Sequence, residues 1–280
     1  MLSPIGIFDS GYGGLTILDA IRQQLPQYDY LYIGDNARAP YGSRSFDVVY
    51  QFTLQAVGKL FQMGCRLVIL ACNTASAKAL RTSQEHDLPV LAGSQPDGLP
   101  DRRVLGIIRP TTEVIGSLTT SRHVGILATE GTIRSKSYSL EIGKLYPDIH
   151  VTGVACPLWA SLVEAGEAES DGTDFFVRRH IDQLMQQDPL IDAVILGCTH
   201  YPLLLPKIRK YLPSGVRIVQ QGHYVAQSLD VYLQRHPEIA ARCSTNGHTR
   251  YFSTESPDRF AEQAQIFLHQ PIEAEHIILN

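Results

Sequence analysis

Val68-Ile69-Leu70-Ala71-Cys72-Asn73-Thr74 and Val194-Ile195-Leu196-Gly197-Cys198-Thr199-His200 are one phrase written twice, once in the first third of the chain and once in the last. Each copy is an apolar, β-branched run, then a small residue, a cysteine and two polar residues, and each leads into a segment with helical spacing. A strand buried on both faces reads as a continuous apolar run. In open α/β sheets the ligand crevice lies just past the carboxyl ends of such strands. The phrase therefore predicts two βα units, each delivering a thiol to a crevice. A single cysteine would read as a small buried hydrophobe, but two in the same strand-end context point to chemistry. Cys65, Cys156 and Cys243 share no such context and read as structural, the last of them near the surface-like segment 242–246.

Upstream of the first copy, an apolar strand over 5–8 runs into Asp9-Ser10-Gly11-Tyr12-Gly13-Gly14, and Leu15, Leu18, Ile21 and Leu25 then repeat at helical spacing before Pro26. The glycines resemble a dinucleotide fingerprint, but its third glycine falls on Thr16 and no Gly-Lys-Ser/Thr follows, which sets nucleotide binding aside. A second strand over 31–33 ends at Gly34-Asp35-Asn36. The loop after it, Ala39-Pro40-Tyr41-Gly42-Ser43, could turn its Tyr41 and Gly42 amides toward an anion. A helix over 46–60 closes at Gly64, the cysteine strand follows over 67–71, then a helix over 75–86 and a strand over 89–91.

Turn formers crowd residues 93–103 and mark a boundary. Beyond it, strands over 104–108, 124–128, 149–154, 194–196 and 216–219 alternate with helical segments. The remainder holds a helix over 225–233, an edge-like strand over 251–253 and a helix over 260–268, too little to stand alone. The expected fold class is α/β, with two similar domains of mainly parallel sheets. Residues 1–98 completed by 220–280 form the first and 99–219 the second, with the site in the cleft between them.

Composition narrows the function. The 280 residues are 44% hydrophobic and 19% charged, with 24 basic and 28 acidic residues for a net charge of −4. No Lys/Arg run offers a nucleic-acid or anionic-membrane surface, so neither is an expected partner. Five cysteines without framework spacing read as reduced thiols in a cytoplasmic setting. The apolar N-terminal run stops at Asp9, too early for a secretory signal core, and no run reaches membrane-span length.

Two facing thiols suit one task. Inverting a carbon that bears a hydrogen beside a carboxylate requires removing the proton from one face and returning one on the other. A thiol ionises at about 8.5, so a modest local push makes it a usable base near neutrality. Asp9 ends the strand that should lie beside the Cys72 strand, and His200 stands two residues after Cys198; each could relay a proton. Their plain alternatives are a turn or capping aspartate and a surface-loop imidazole. Asn73, Thr74 and Thr199 fall at helix starts, where a substrate carboxylate would rest.

Asp9-Ser10-Gly11-Tyr12-Gly13-Gly14-Leu15, Asp35 with Arg38-Ala39-Pro40-Tyr41-Gly42, Ala71-Cys72-Asn73-Thr74-Ala75 and Gly197-Cys198-Thr199-His200-Tyr201-Pro202 together resemble the glutamate racemases of the aspartate/glutamate racemase family. The resemblance spans almost the whole chain and includes Cys156-Pro157-Leu158 with Glu164. It implies cofactor-independent interconversion of L- and D-glutamate, supplying D-glutamate for peptidoglycan. It implies that Cys72 takes the α-proton of D-glutamate and Cys198 that of L-glutamate, that Asp9 and His200 assist, and that Asp35 and Glu164 are further candidates. Its substrate contacts fall on Asp9, Ser10, Tyr41, Gly42, Asn73, Thr74, Thr199 and His200, with Thr129 and Thr132 near them. It leaves a homodimer open. The family's Asp-Ser pair after the returning strand is replaced here by Gln221-Gly222, which bears on the hinge or on dimer packing and regulation.

Four other readings compete. An aspartate racemase would use the same two thiols, and a catalytically idle binding protein would keep the fold without needing both. A thiol hydrolase on Cys198 and His200 would have no use for a second cysteine. A zinc site from Cys72, Cys198 and His200 would need a fourth ligand and would quench the thiolates, so no metal is expected.

Overall fold

The computed structural model describes residues 2–87 and 102–280. Among these, β1 spans Ile5–Asp9, β2 Tyr30–Gly34, β3 Leu67–Leu70, β4 Arg103–Gly106, β5 His123–Ala128, β6 His150–Ala155, β7 Ala193–Gly197, β8 Arg217–Val219, β9 Thr249–Ser253 and β10 Ala274–His276. They form two sheets, ordered β10-β9-β2-β1-β3-β4 and β6-β5-β7-β8, and every pairing is parallel. Parallel neighbours need a long crossover. Helices supply it: Leu15–Gln24 between β1 and β2, Phe46–Gln62 between β2 and β3, Ser137–Leu145 between β5 and β6, and Asp171–Gln187 between β6 and β7.

The duplication reaches further than the repeated phrase. In both sheets the chain leaves a central strand (β1 or β5) for a neighbour on one side (β2 or β6), then crosses to the other side (β3 or β7). That reversal is the topological switch point at which open sheets bind ligands. Register matches in the two halves, since Phe8 pairs with Leu70 as Leu127 pairs with Leu196. Cys72 and Cys198 then hold equivalent places, and so do Ser10 and Thr129.

Burial follows the apolar runs. β1, β2, β3 and β7 are buried along their whole length. One apolar cluster runs from Ile7 and Leu18 of the first lobe to Leu196 and Leu204 of the second. Separate clusters, around Phe8 and Leu70 and around Ile126 and Ile195, close the other faces of the two sheets. Each fully buried Leu, Ile or Phe stabilises the fold by about 1.5–3 kcal/mol relative to exposure, so the strands that carry the cysteines are among the best anchored. The helix Phe46–Gln62 starts at Ser45, whose hydroxyl accepts from Val48 N, and ends before Gly64 at φ +96°. A glycine takes that left-handed turn without strain.

Several expectations need correction. The strand expected to open the second unit is β4, and it pairs with β3 in the first sheet, so the described strands put the change of sheet after Gly106. Turn-rich composition marked a connection but did not reveal which sheet its far end joins. The strand expected over 89–91 lies outside the described residues, as does most of 93–103. The strand near 251–253 is not an edge, because the short strand β10, Ala274-Glu275-His276, pairs beyond it. The helix expected over 75–86 begins earlier, at Asn73, and breaks after Lys78. Cys243 is buried at 4% exposure and its backbone bridges Ser3, so its segment is not surface-like at that point.

Candidate active site

Cys72 lies two residues beyond β3 and caps the helix Asn73–Lys78. Its Sγ accepts from Ala75 N at 3.4 Å and donates to Ser10 Oγ at 3.4 Å. Cys198 follows β7, with its Sγ 3.8 Å from His200 Nδ1, and His200 Nε2 lies 2.7 Å from Glu164 Oε1. The two cysteines, each 6% exposed, line one cavity of about 60 Å3. That is room for a few waters, each needing about 10–15 Å3.

The first lobe contributes Ser10, Tyr41, Gly42, Asn73 and Thr74 to the wall, and the second contributes Thr129, Glu164, Thr199 and His200. Thr74 Oγ1 and Thr129 Oγ1 meet across the cleft at 2.9 Å. Three candidates stand behind this wall. Thr132 backs the hydroxyl pair, at 3.1 Å from Thr129 and 3.4 Å from Thr74. Asp35 is fully buried and holds the Pro-Tyr-Gly loop, accepting from Tyr41 Oη, from Arg38 Nε at 2.7 Å and from Thr254 Oγ1 at 2.9 Å. Asp9 is 1% exposed; its Oδ2 accepts from Gly11 N at 2.9 Å while its buried Oδ1 has no partner. His200 is no surface-loop residue, at 5% exposure.

The glycine turn after Asp9 is what lets the lobes touch. A Cβ on Gly13 would come within 2.4 Å of both His200 Nδ1 and Thr199 Oγ1. Thr16, at the place of the missing third glycine, donates to Gly13 O at 2.9 Å and to Thr199 O at 3.1 Å. A residue that counted against nucleotide binding in the sequence thus ties the first lobe to the second cysteine turn. On the opposite side of the cavity Gly131 N donates to Gly42 O at 2.8 Å.

The two thiols sit in unequal surroundings. Burial, and then the carboxyl of Asp9, push Cys72 up to about 12, so it holds its proton at neutral pH. Burial raises Asp9 above its ordinary value against the pull of His200. Burial alone would lower His200, but its hydrogen bonds and charge interactions with Cys198 and Glu164 outweigh that and hold it well above the ordinary imidazole range. A protonated thiol therefore faces an imidazolium beside the second thiol.

Sequence reasoning missed parts of the wall. Pro157, Ala160, Ser161 and Glu130 all line the cavity. The Cys156-Pro157-Leu158 motif was the available signal for the first three, but nothing in it reveals which side chains face inward. Gln221 is 3% exposed and bonds to Asn73, the residue after Cys72. Among the described residues no helix is long and apolar enough to cross a membrane, and no group of three or more His, Cys, Asp or Glu could hold a metal ion.

The family model for Asp/Glu/Hydantoin racemase matches residues 13–229. The glutamate racemase of Roseobacter denitrificans is 39% identical over 279 residues, 96% of this chain and 98% of that protein. Glutamate racemase isoform RacE1 from Bacillus anthracis has a TM-score of 0.87 at 33% identity, covering 99% of this chain and 98% of that one. Glutamate racemase from Francisella tularensis, solved in complex with D-glutamate, has a TM-score of 0.85 at 31% identity, with 99% and 98% covered. The matched span runs from the glycine turn that meets His200 to the helix that carries Gln221 and takes in both cysteine strands, and the chain belongs to the Asp/Glu/Hydantoin racemase family.

Proposed function

We propose that the protein is a glutamate racemase in which Cys72 and Cys198 exchange protons with the α-carbon from opposite faces, without a cofactor. The observation that carries this reading is the pair of equivalent strand-end thiols lining a single cavity. From L-glutamate, Cys198 as thiolate takes the α-proton while His200, kept charged by its neighbours, balances the charge. The carbanion that forms spreads its charge onto the α-carboxylate, where hydroxyl and amide donors of the wall stabilise it. Cys72, still protonated, returns a proton on the other face, with Asp9 beside it as the relay. D-glutamate runs the same steps in reverse. The cavity has room for only a few waters, and a substrate that displaces them strengthens every charge interaction inside it.

The choice of glutamate rests on the relatives. It is tested by following the optical rotation of L-glutamate and of L-aspartate with the same enzyme: glutamate should turn over much faster, and faster turnover of aspartate would overturn the substrate assignment. Five buried, unpaired cysteines suit a reducing compartment, so the reading places the reaction in the cytosol, with D-glutamate passing to peptidoglycan synthesis.

The charge on His200 gives a pH prediction. Glu164 favours the imidazolium, so Glu164→Gln should let His200 lose its proton at lower pH. The alkaline limb of kcat/KM should then move down by about one pH unit or more. A pH–rate profile that keeps its alkaline limb in Glu164→Gln would show that the carboxylate does not set the state of His200.

A further inference from the structure

We infer that Gln221 is a positioning residue for the reaction, fixing the amide of Asn73 so that its free N–H is offered to the bound amino acid; the inference rests on the racemase reading above. Asn73 Nδ2 donates to Gln221 Oε1 at 2.7 Å, Gln221 Nε2 donates to Tyr138 Oη at 2.7 Å, and Tyr138 Oη donates to Asn73 Oδ1 at 2.7 Å. The three bonds close a ring. All three side chains are at most 3% exposed, so no bulk water competes for these groups.

The ring determines a direction. A side-chain amide carries two N–H donors and one carbonyl acceptor. Reversing Asn73 would set its NH2 against Tyr138 and its carbonyl against the carbonyl of Gln221, leaving buried groups without partners. The second N–H of Gln221 is also engaged, reaching Ile107 O at 3.1 Å, so Gln221 cannot turn over to follow. What remains unspent on Asn73 is one N–H, on a side chain that lines the cavity directly after Cys72.

The placement in the chain adds a second consequence. Ile107 is where the chain leaves the first sheet after β4, and Gln221 is where it leaves the second after β8, so one side chain joins both crossings between the lobes to the helix start beside Cys72. Position 221 is also where this chain departs from the Asp-Ser that the family resemblance leads one to expect. The side chain found there is long enough to make the ring, and it is uncharged.

The test is a mutant cycle on the full-length enzyme with glutamate as substrate. Gln221→Met keeps the volume and removes the hydrogen bonds. It should raise KM about tenfold, in line with losing one oriented hydrogen bond, while kcat stays within about threefold. In an Asn73→Ala background the same substitution should leave KM where Asn73→Ala alone puts it. Tyr138→Phe, which deletes one oxygen, should give a smaller rise that also vanishes in Asn73→Ala, and it serves where Gln221→Met does not fold. An unchanged KM in Gln221→Met with a lowered Tm, or effects that multiply with Asn73→Ala, would overturn the inference and leave the racemase reading standing. A wild-type enzyme inactive on glutamate would overturn both.

Discussion

Cys72→Ser is expected to lower racemisation of glutamate by about a thousandfold or more, while L-glutamate still exchanges its α-proton with solvent. Serine fits the same space, but its hydroxyl neither takes nor gives a proton as a thiol does near neutrality. The cavity walls and the Cys198–His200–Glu164 chain stay intact, so the half-reaction on the L side survives. Cys198→Ser should show the mirror image, with exchange confined to D-glutamate. The steady-state comparison of directions cannot supply this information. Enantiomers have equal free energy, so kcat/KM must match in the two directions for every variant; the damaged side appears only in the exchange. Proton NMR of the α-signal in deuterated water, combined with chiral chromatography, reads both quantities. Either serine variant racemising at the wild-type rate would show that thiol to be structural.

Gly13→Ala should lower kcat/KM about a hundredfold, the scale on which a displacement of about 1 Å costs catalysis. The added methyl would lie 2.4 Å from His200 Nδ1 and Thr199 Oγ1, far inside contact distance. Backbone on one side and a buried imidazole on the other leave little to yield, so the glycine turn or the Cys198 turn must shift. His200 then loses its setting between Cys198 and Glu164. Gly58→Ala is the matching control: it lies in the helix Phe46–Gln62 with nothing within 4 Å of the new carbon. That change should leave kinetics alone and stabilise the protein by about 0.5–1 kcal/mol, read from urea unfolding. Wild-type kinetics in Gly13→Ala would show that the close approach of the lobes at this turn is not needed for turnover.

The parts of this molecule visible in its sequence are those set by local pattern. The strands that carry Cys72 and Cys198 announce themselves because burial on both faces demands an unbroken apolar run, and the residues after them fall at a crevice by the geometry of parallel sheets. Asp9 beside Cys72 follows from β1 pairing with β3. What stayed hidden depends on long-range packing. β4 looks like any other strand until its pairing with β3 is known, and β10 gives almost no apolar signal, since Ala274 is its one side chain on the core and Glu275 pairs with Arg250 instead. Glu164 reaches His200 across 36 residues of sequence because Trp159, on the same short helix, packs on Tyr201 with ring centroids 4.8 Å apart and donates to His180 at 2.9 Å. Gln221 looked like a lapse from a family pattern; only the fold shows that it closes a ring with Asn73 and Tyr138.

The central claim is that two bases work on opposite faces of one carbon, and the most direct measurement is a short reaction of wild-type enzyme with L-glutamate in deuterated water, stopped early. D-glutamate formed should carry solvent deuterium at the α-carbon, while L-glutamate recovered at that time should still be largely protiated. D-glutamate that keeps the original α-protium would contradict the account, because one group would then have carried the same proton from face to face.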